Sequence, residues 1–409
     1  MANKLVITNG CLLTPMRQVE KGTVVIEDGL IKAVGAAGEV EIPPAGPEVT
    51  VIDAGGRYVA PGFIEGHVHG GGGGDVMDGQ VASILTCGRR HAQGGVTAFL
   101  PTTLTAPQAD IYKALEACEE AMETEYDGAS VLGAHLEGPY FAASQAGAQN
   151  PAYLRHPEAD DYLPLLERFP IIKKVTAAPE LPGAMELGRE LRRRRIVAAI
   201  GHTAGTYQDV VKAVENGYTH ATHMFSAMST IRREKAYRLA GVIEAVLELD
   251  ELTTEIIADG HHLPPSLINL TLKAKSRERV CLTTDAMAAA GLGPGRYSLF
   301  GLDVIVEDDI PSEFEVRTRT GQPVAKLADR TAFASSVATM DQVVRTMVEL
   351  VGLPLIEAVK MATMVPAAIH GWAAERGQLS PGLVGDVVIL DQEVKVHYTI
   401  VRGRVVYKR

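Results

Sequence analysis

The sequence predicts an α/β protein: a TIM-like (β/α)8 barrel with a small β-sandwich domain built from both chain ends. Three observations predict it. The middle of the chain alternates short apolar runs with amphipathic stretches, eight times over. Both ends carry short β patterns separated by glycine and Asx turns. Several of the eight apolar runs stop abruptly at a His, Asp or Glu. In such barrels the C-terminal strand ends carry the chemistry, above apolar interior layers.

The bulk numbers bound the alternatives. A chain of 409 residues is ample for one large domain plus a small one. Hydrophobic residues make up 46% and charged residues 22%, the balance of an ordinary globular protein. A formal net charge of −11 argues against non-specific nucleic-acid or membrane binding, while leaving room for an anionic small molecule held by local basic residues. Cys11, Cys87, Cys118 and Cys281 are widely spaced with no CxxC, so neither a thiolate metal site nor a redox pair is signalled. The N-terminus, "MANKLVITNGCLL", has no basic n-region or long apolar h-region, and no stretch is long enough to span a bilayer. The expectation is a cytoplasmic protein with buried thiols.

Taken in order, "KLVITNGCLLTP", "GTVVIEDGLIKAVG" and "EVTVIDAGG" read as strands and hairpins, and the C-terminal "DVVILDQEVKVHYTIVRGRVVYKR" repeats the style. Residues 1–57 and 378–409 are therefore assigned to one small β domain and 58–377 to the barrel. The eight barrel strands are read in "YVAPGFIEGHVH", "GVTAFLPTT", "ASVLGAHLEGP", "IKKVTAAPE", "RIVAAIGHT", "YTHATHMF", "EIIADGHH" and "RVCLTTDA". Helices such as "QVASILTCGRRHAQ" and "TYQDVVKAVENG" lie between them. After the eighth strand, residues 295–336 read as a β excursion or loop, and a long helical stretch runs from Thr339 to Trp372.

The chemistry sits at the strand ends. In "HVH", His67 and His69 are two apart, so on a strand both imidazoles project from one face and are placed to grip a single ion. On a helix they would diverge. Five glycines follow, Gly70–Gly74, read as a sharp turn that leaves space above the metal. Glu137 ends the third strand, where it either ligates metal or caps the next helix. His202 ends the fifth. On the sixth, His220 and His223 are three apart and point to opposite faces, so one reaches the centre. His223, nearer the strand end, is assigned to it, and His220 to a buried hydrogen bond. Asp285 ends the eighth, either as a helix cap or as a general base beside a metal. Each residue alone is ambiguous. Together, His67, His69, Glu137, His202, His223 and Asp285 make a set of imidazoles and carboxylates suited to Zn²⁺ or Fe²⁺.

These segments resemble the amidohydrolase superfamily and, more narrowly, its N-acetylglucosamine-6-phosphate deacetylase family. The likeness is carried by "PGFIEGHVHG", "HLEGPYFAASQAGAQNP", "IGHTAGTY", "THATHMFSAM", "IADGHH" and "TTDAMAAAGL", in the family's order and across most of the chain. The resemblance implies an amidohydrolase-type barrel and one or two divalent ions. His67, His69, Glu137 and Asp285 would hold one ion, and Glu137, His202 and His223 the other. It implies amide hydrolysis, with a water whose pKa falls from roughly 16 toward about 7 on the metal. Asp285 serves as base and then acid, and Gln149 helps to polarise the acetyl carbonyl. For the sugar phosphate it implies Ser226, Ala227, His262 and an arginine, Arg232 or Arg233, with Arg233 preferred. That arginine is lent by a second subunit, hence a homodimer. No nucleic-acid or membrane partner is implied. The sequence departs from the family pattern at Ser226, where Asn is usual, in "REKAYR" after it, and at "ASS" (334–336) in place of "AGS". These departures leave the sugar epimer and the acyl substrate open. An N-acyl amino acid or cyclic amide hydrolase, or a metal-binding sensor without turnover, are the competing readings.

Overall fold

The computed structural model describes residues 4–44, 46–308 and 323–409. Its centre is a parallel barrel. Two hydrogen-bonded arcs make it: one contains strands Phe63–Val68, Val96–Pro101 and Ser130–Val131. The other contains Ala134–Glu137, Ile172–Ala177, Val197–Ile200, Tyr218–Ala221, Thr253–Ile257 and Val280–Thr283. The arcs join where Thr102 bridges His135 in parallel, with Thr103 N on the His135 carbonyl at 3.0 Å. They close on the other side through the His67 carbonyl, which accepts from Thr283 Oγ1 and Asp285 N at 3.0 and 3.1 Å. The strands are short, β-branched or alanine-rich, and almost wholly buried, as a parallel sheet covered by helices requires.

Helices cover the outside by burying one stripe each. Val81–Gln93 buries Ile84, Cys87 and Ala92, and Gln108–Glu123 buries Ile111, Leu115 and Cys118. Each fully buried Ile or Leu contributes about 1.5–3 kcal/mol. All four cysteines are buried and unpaired. Among the described residues no helix is long and apolar enough to cross a membrane.

The two chain ends do meet. Strands from Lys4 to Pro61 and from Val387 to Lys408 form one sheet, eight-stranded among the described residues, in which Tyr58–Pro61 runs antiparallel to Val387–Leu390. Its apolar face packs Leu5, Ile7, Val24, Ile26, Val59, Val387 and Ile389 together. One predicted barrel strand is thereby divided. "YVAP" belongs to this end sheet and "FIEGHV" to the barrel, with the chain crossing between them at Gly62. A Cβ at Gly62 would lie 2.2 Å from the Thr97 side chain, which is why the crossing needs glycine.

The predicted excursion after the eighth strand contains Gly295–Leu299, Leu302–Glu307 and Val324–Leu327, paired antiparallel, and its residues 309–322 lie outside the described residues. The long helical stretch is broken into Met340–Glu349, Leu355–Ala362 and Met364–Ile369. Gly352, at φ 80°, and Pro354 end the first and start the second.

Candidate metal centre and active site

Six side chains from five barrel strands converge at the mouth. His67 and His69 bring their Nε2 atoms to 3.3 Å from one another. Asp285 Oδ1 lies 3.2 Å from His69 Nε2 and 3.6 Å from His67 Nε2. On the facing side, His202 and His223 bring their Nε2 atoms to 3.1 Å. Glu137 stands between the two groups. Its Oε1 is 3.1 Å from His223 and 3.5 Å from His202, and its oxygens are 3.4 and 3.3 Å from His67 and His69. All six residues are buried.

Local backbone chemistry explains how strand ends aim these groups. His202, His223 and Asp285 all have positive φ, at 47°, 29° and 47°. Short polar residues such as His and Asp enter that region more readily than others, at roughly 1–3 kcal/mol each. The chain thus kinks as each strand stops, which turns the side chain inward. The His202 loop is held below by Thr203 Oγ1 on Glu180 at 2.6 Å and by the Thr206–Asp209 capping box. Phe141 stacks on the His202 ring at 4.3 Å.

The glycines after His69 do something other than leave space above the site. They do not line the cavity. His69 N and Gly70 N both donate to the Ala286 carbonyl, at 2.8 and 3.0 Å, and Gly73 N donates to Ala288. A Cβ at Gly70 would meet Gly74 O at 2.5 Å and Ala288 N at 2.7 Å. The glycine run lets two backbones touch, and that contact sets Asp285 beside His67 and His69.

The donor set fits a divalent cation. Three of the four imidazoles spend Nδ1 outward: His67 on Glu255 at 2.7 Å, His69 on the Thr102 carbonyl at 3.1 Å, and His202 on the Gln145 carbonyl at 2.9 Å. Donation from Nδ1–H leaves the Nε2 lone pairs pointing inward and at one another. Asp285 Oδ1 is buried without a hydrogen-bond partner among the described residues. Lone pairs facing lone pairs beside carboxylates call for positive charge at the centre. Protons respond to the same field. Burial opposes charge on His67, yet Glu137, Asp285 and Glu255 raise its pKa to about 10. His69 rises to about 9 against burial, because the Asp285 and Glu137 carboxylates stand beside its Nε2. Conversely, although burial disfavours a charged Glu137, His67 and the hydrogen bonds from His202 and His223 hold its carboxyl well below the usual range.

A cavity of about 300 Å³ opens above the six donors. Gln149, Ser226, Ala227 and His262 line it. Gln149 donates from Nε2 to Glu137 at 2.8 Å and accepts from Thr105 N at 2.7 Å. His262 is oriented by Asp259, Nδ1 to Oδ2 at 2.8 Å. Burial disfavours its charged form, but Asp259 raises its pKa overall. Arg233 does not line this cavity. It lies on an exposed hairpin, Arg232–Glu234 paired with Tyr237–Leu239. His220 is buried beneath the centre, with Nδ1 on Thr253 and Nε2 toward Glu255.

Sequence reasoning missed two sets of residues. Leu299 and Phe333 line the cavity from the excursion, beside Ser335 of the "ASS" departure, and no local signal places these two over the mouth. Lys174 and Glu255 lie fully buried below the donors, Nζ to Oε2 at 2.8 Å. For these a signal existed: each is a charge in the middle of a barrel strand, "IKKVTA" and "TTEII", although Lys173 beside Lys174 blurs the first. A third cluster, His220, Glu255 and Cys281, has ligand-like spacing, but the Lys174 ammonium already occupies it.

Comparison with known proteins agrees with this geometry. The amidohydrolase family profile matches residues 58–406. The chain belongs to the amidohydrolase family. Among its relatives is the N-acetylgalactosamine-6-phosphate deacetylase of Escherichia coli O157:H7, 34% identical over 96% of this chain and 97% of that one. The N-acetylglucosamine-6-phosphate deacetylase of Bacillus subtilis (strain 168) is 33% identical over 100% and 98%. Among solved structures, the N-acetylglucosamine-6-phosphate deacetylase of Pasteurella multocida superposes with a TM-score of 0.88 at 26% identity, covering 99% of this amidohydrolase and 100% of that chain. A Mycobacterium smegmatis variant enzyme in complex with N-acetyl-D-glucosamine-6-phosphate does so with a TM-score of 0.85 at 30% identity, with the same coverage.

Proposed function

We propose that this amidohydrolase removes the acetyl group of N-acetylglucosamine 6-phosphate, yielding glucosamine 6-phosphate and acetate. The observation that carries the reading is the partnerless Asp285 carboxylate oxygen, set against converging imidazoles, of which His69, His202 and His223 line the cavity. His67, His69 and Asp285 would hold one divalent ion, and His202 and His223 a second, with Glu137 within reach of both; Zn²⁺ and Fe²⁺ suit these ligands. When bound, such an ion supplies Lewis acidity that acidifies water and polarises an acyl oxygen.

The chain's own groups do the rest. The Asp285 carboxylate takes the proton from the attacking water and returns it to the departing sugar nitrogen, so one carboxylate serves both steps. Gln149 has one amide hydrogen committed to Glu137 and a second left to donate to the acetyl oxygen as charge develops there. Asp259 uses up His262 Nδ1, leaving Nε2 for the sugar. Ser226 and Ala227 shape the wall beside it.

The phosphate is assigned to Arg233, whose planar fork suits it. Because Arg233 lies outside its own chain's cavity, the reading includes a homodimer in which each hairpin reaches the neighbouring site. Exposed Ile231 and Tyr237 flank that hairpin, which supports a protein contact there. The four buried free thiols suit a reducing, cytoplasmic setting. In this reading the end-built β domain spans 1–57 and 378–409, and the hydrolase barrel 58–377.

A second reading, the galacto epimer, rests on one relative, the Escherichia coli O157:H7 N-acetylgalactosamine-6-phosphate deacetylase at 34% identity. Acetate release from the gluco, galacto and manno N-acetylhexosamine 6-phosphates, the unphosphorylated sugar and N-acetyl amino acids decides between them. The gluco phosphate is expected to be fastest. Equal rates with and without phosphate would remove the phosphate assignment.

A further inference from the structure

We propose that Glu255 is a positioning residue for the metal centre: it locks His67 with Nε2 turned toward the cation, and Lys174 holds it in place for that task. The inference rests on the metal-dependent reading above. It concerns residues to which that reading gives no role.

The four inward imidazoles are not equivalent. His69 and His202 donate Nδ1–H to backbone carbonyls, and His223 Nδ1 is buried without a hydrogen-bond partner among the described residues. His67 alone meets a carboxylate there, and at the shortest distance, 2.7 Å. A carboxylate on Nδ1–H fixes the tautomer and ring orientation and makes Nε2 a more basic ligand. Glu255 also reaches the opposite donor group, since its Oε1 lies 3.3 Å from the backbone N of His223. One side chain on the seventh strand therefore braces a ligand of the first strand and the kinked residue of the sixth.

Lys174 completes the device. It is fully buried on the fourth strand, and Glu255 is its polar partner at 2.8 Å. His220 Nε2 adds a contact at 3.3 Å to the same oxygen, leaving the other oxygen to His67 and the His223 backbone N. Stability alone gives no reason for such a pair. Apolar residues of similar volume in place of a buried ion pair are often neutral or stabilising. A barrel interior that keeps the pair directly under a ligand is using it to hold that ligand.

Two double variants separate the hydrogen bond from the charge. Lys174→Met/Glu255→Gln removes both charges yet keeps an amide oxygen for His67 Nδ1–H. Lys174→Met/Glu255→Leu removes the acceptor as well. Metal-free protein of each would be titrated with Co²⁺, following bound metal and the visible d–d spectrum, with thermal unfolding of the metal-free forms as a folding check. The Leu variant is expected to lose about 10- to 100-fold in one Co²⁺ affinity with an altered spectrum, and the Gln variant to recover most of it. Unchanged affinity and spectrum in the Leu variant would overturn the proposal. So would an equal loss in both variants, because the hydrogen bond would then be irrelevant. If the unaltered protein takes up no Co²⁺, the metal-centre reading itself fails, which is a distinguishable result. Should the Leu variant not fold, Lys174→Met/Glu255→Ala takes its place, and unchanged Co²⁺ affinity and spectrum in that variant would overturn the claim.

Discussion

His202 and His223 face one another, Nε2 to Nε2, at 3.1 Å, with Glu137 Oε1 closing the triangle at 3.5 and 3.1 Å. Two ring nitrogens that each spend or bury their outer edge have no stable arrangement at that distance without a shared cation or proton. Binding a cation there links metal to folding.

Chelation therefore lowers thermal stability. Zn²⁺ or Fe²⁺ at about 100 times its dissociation constant stabilises the fold by about 2.7 kcal/mol. The expected result is a fall in Tm on dialysis against chelator that is reversed by Zn²⁺ or Fe²⁺ but not by K⁺. An unmoved Tm would mean that the donor set holds no ion in solution.

Asp285→Asn keeps the shape of the site and removes the proton acceptor. Turnover should fall about 10²–10⁴-fold, the usual range for a positioned acid–base group. Metal at Glu137, His202 and His223 should remain, since Asp285 is not part of that cluster. Metal analysis and steady-state rates on one preparation test both halves; undiminished turnover would remove Asp285 from the mechanism.

Arg233→Ala should weaken kcat/KM for the phosphorylated sugar, by roughly 1.5–3 kcal/mol for a lost charged hydrogen bond, while sparing the unphosphorylated one. If the arginine acts across a dimer, co-expression with Asp285→Asn chains restores activity. One site of each mixed dimer then has both residues intact. Absence of recovery in isolated mixed dimers would place the arginine in its own chain's site, or out of the mechanism.

Gly70→Ala forces a Cβ to within 2.5 Å of the Gly74 carbonyl oxygen and 2.7 Å of Ala288 N. Both are backbone atoms, so the segments must part. Destabilisation of about 1–3 kcal/mol is expected. Activity should fall beyond the loss of folded protein, because the same contact sets Asp285 beside His67 and His69. A variant with reduced Tm but normal specific activity would show that the glycine contact serves packing alone.

Much of this molecule is written in its local sequence. The eight apolar runs, the β patterns of both ends and the strand-end positions of His67, His69, Glu137, His202, His223 and Asp285 all follow from side-chain alternation and turn chemistry, which act between neighbours in the chain. Other features depend on barrel closure. That closure brings Lys174 of the fourth strand under Glu255 of the seventh and both under His67 of the first. It zips the glycine run to Ala286–Ala290, and it lays Phe333 and Ser335 over the mouth while leaving Arg233 outside. No periodicity encodes such contacts, because they join residues tens to hundreds of positions apart whose meeting is fixed by strand order and curvature. Sequence determined which chemistry the strand ends carry. Tertiary structure decided which lone pairs face one another, which charge lies beneath them and what walls the cavity, because orientation and desolvation exist only once the barrel has closed.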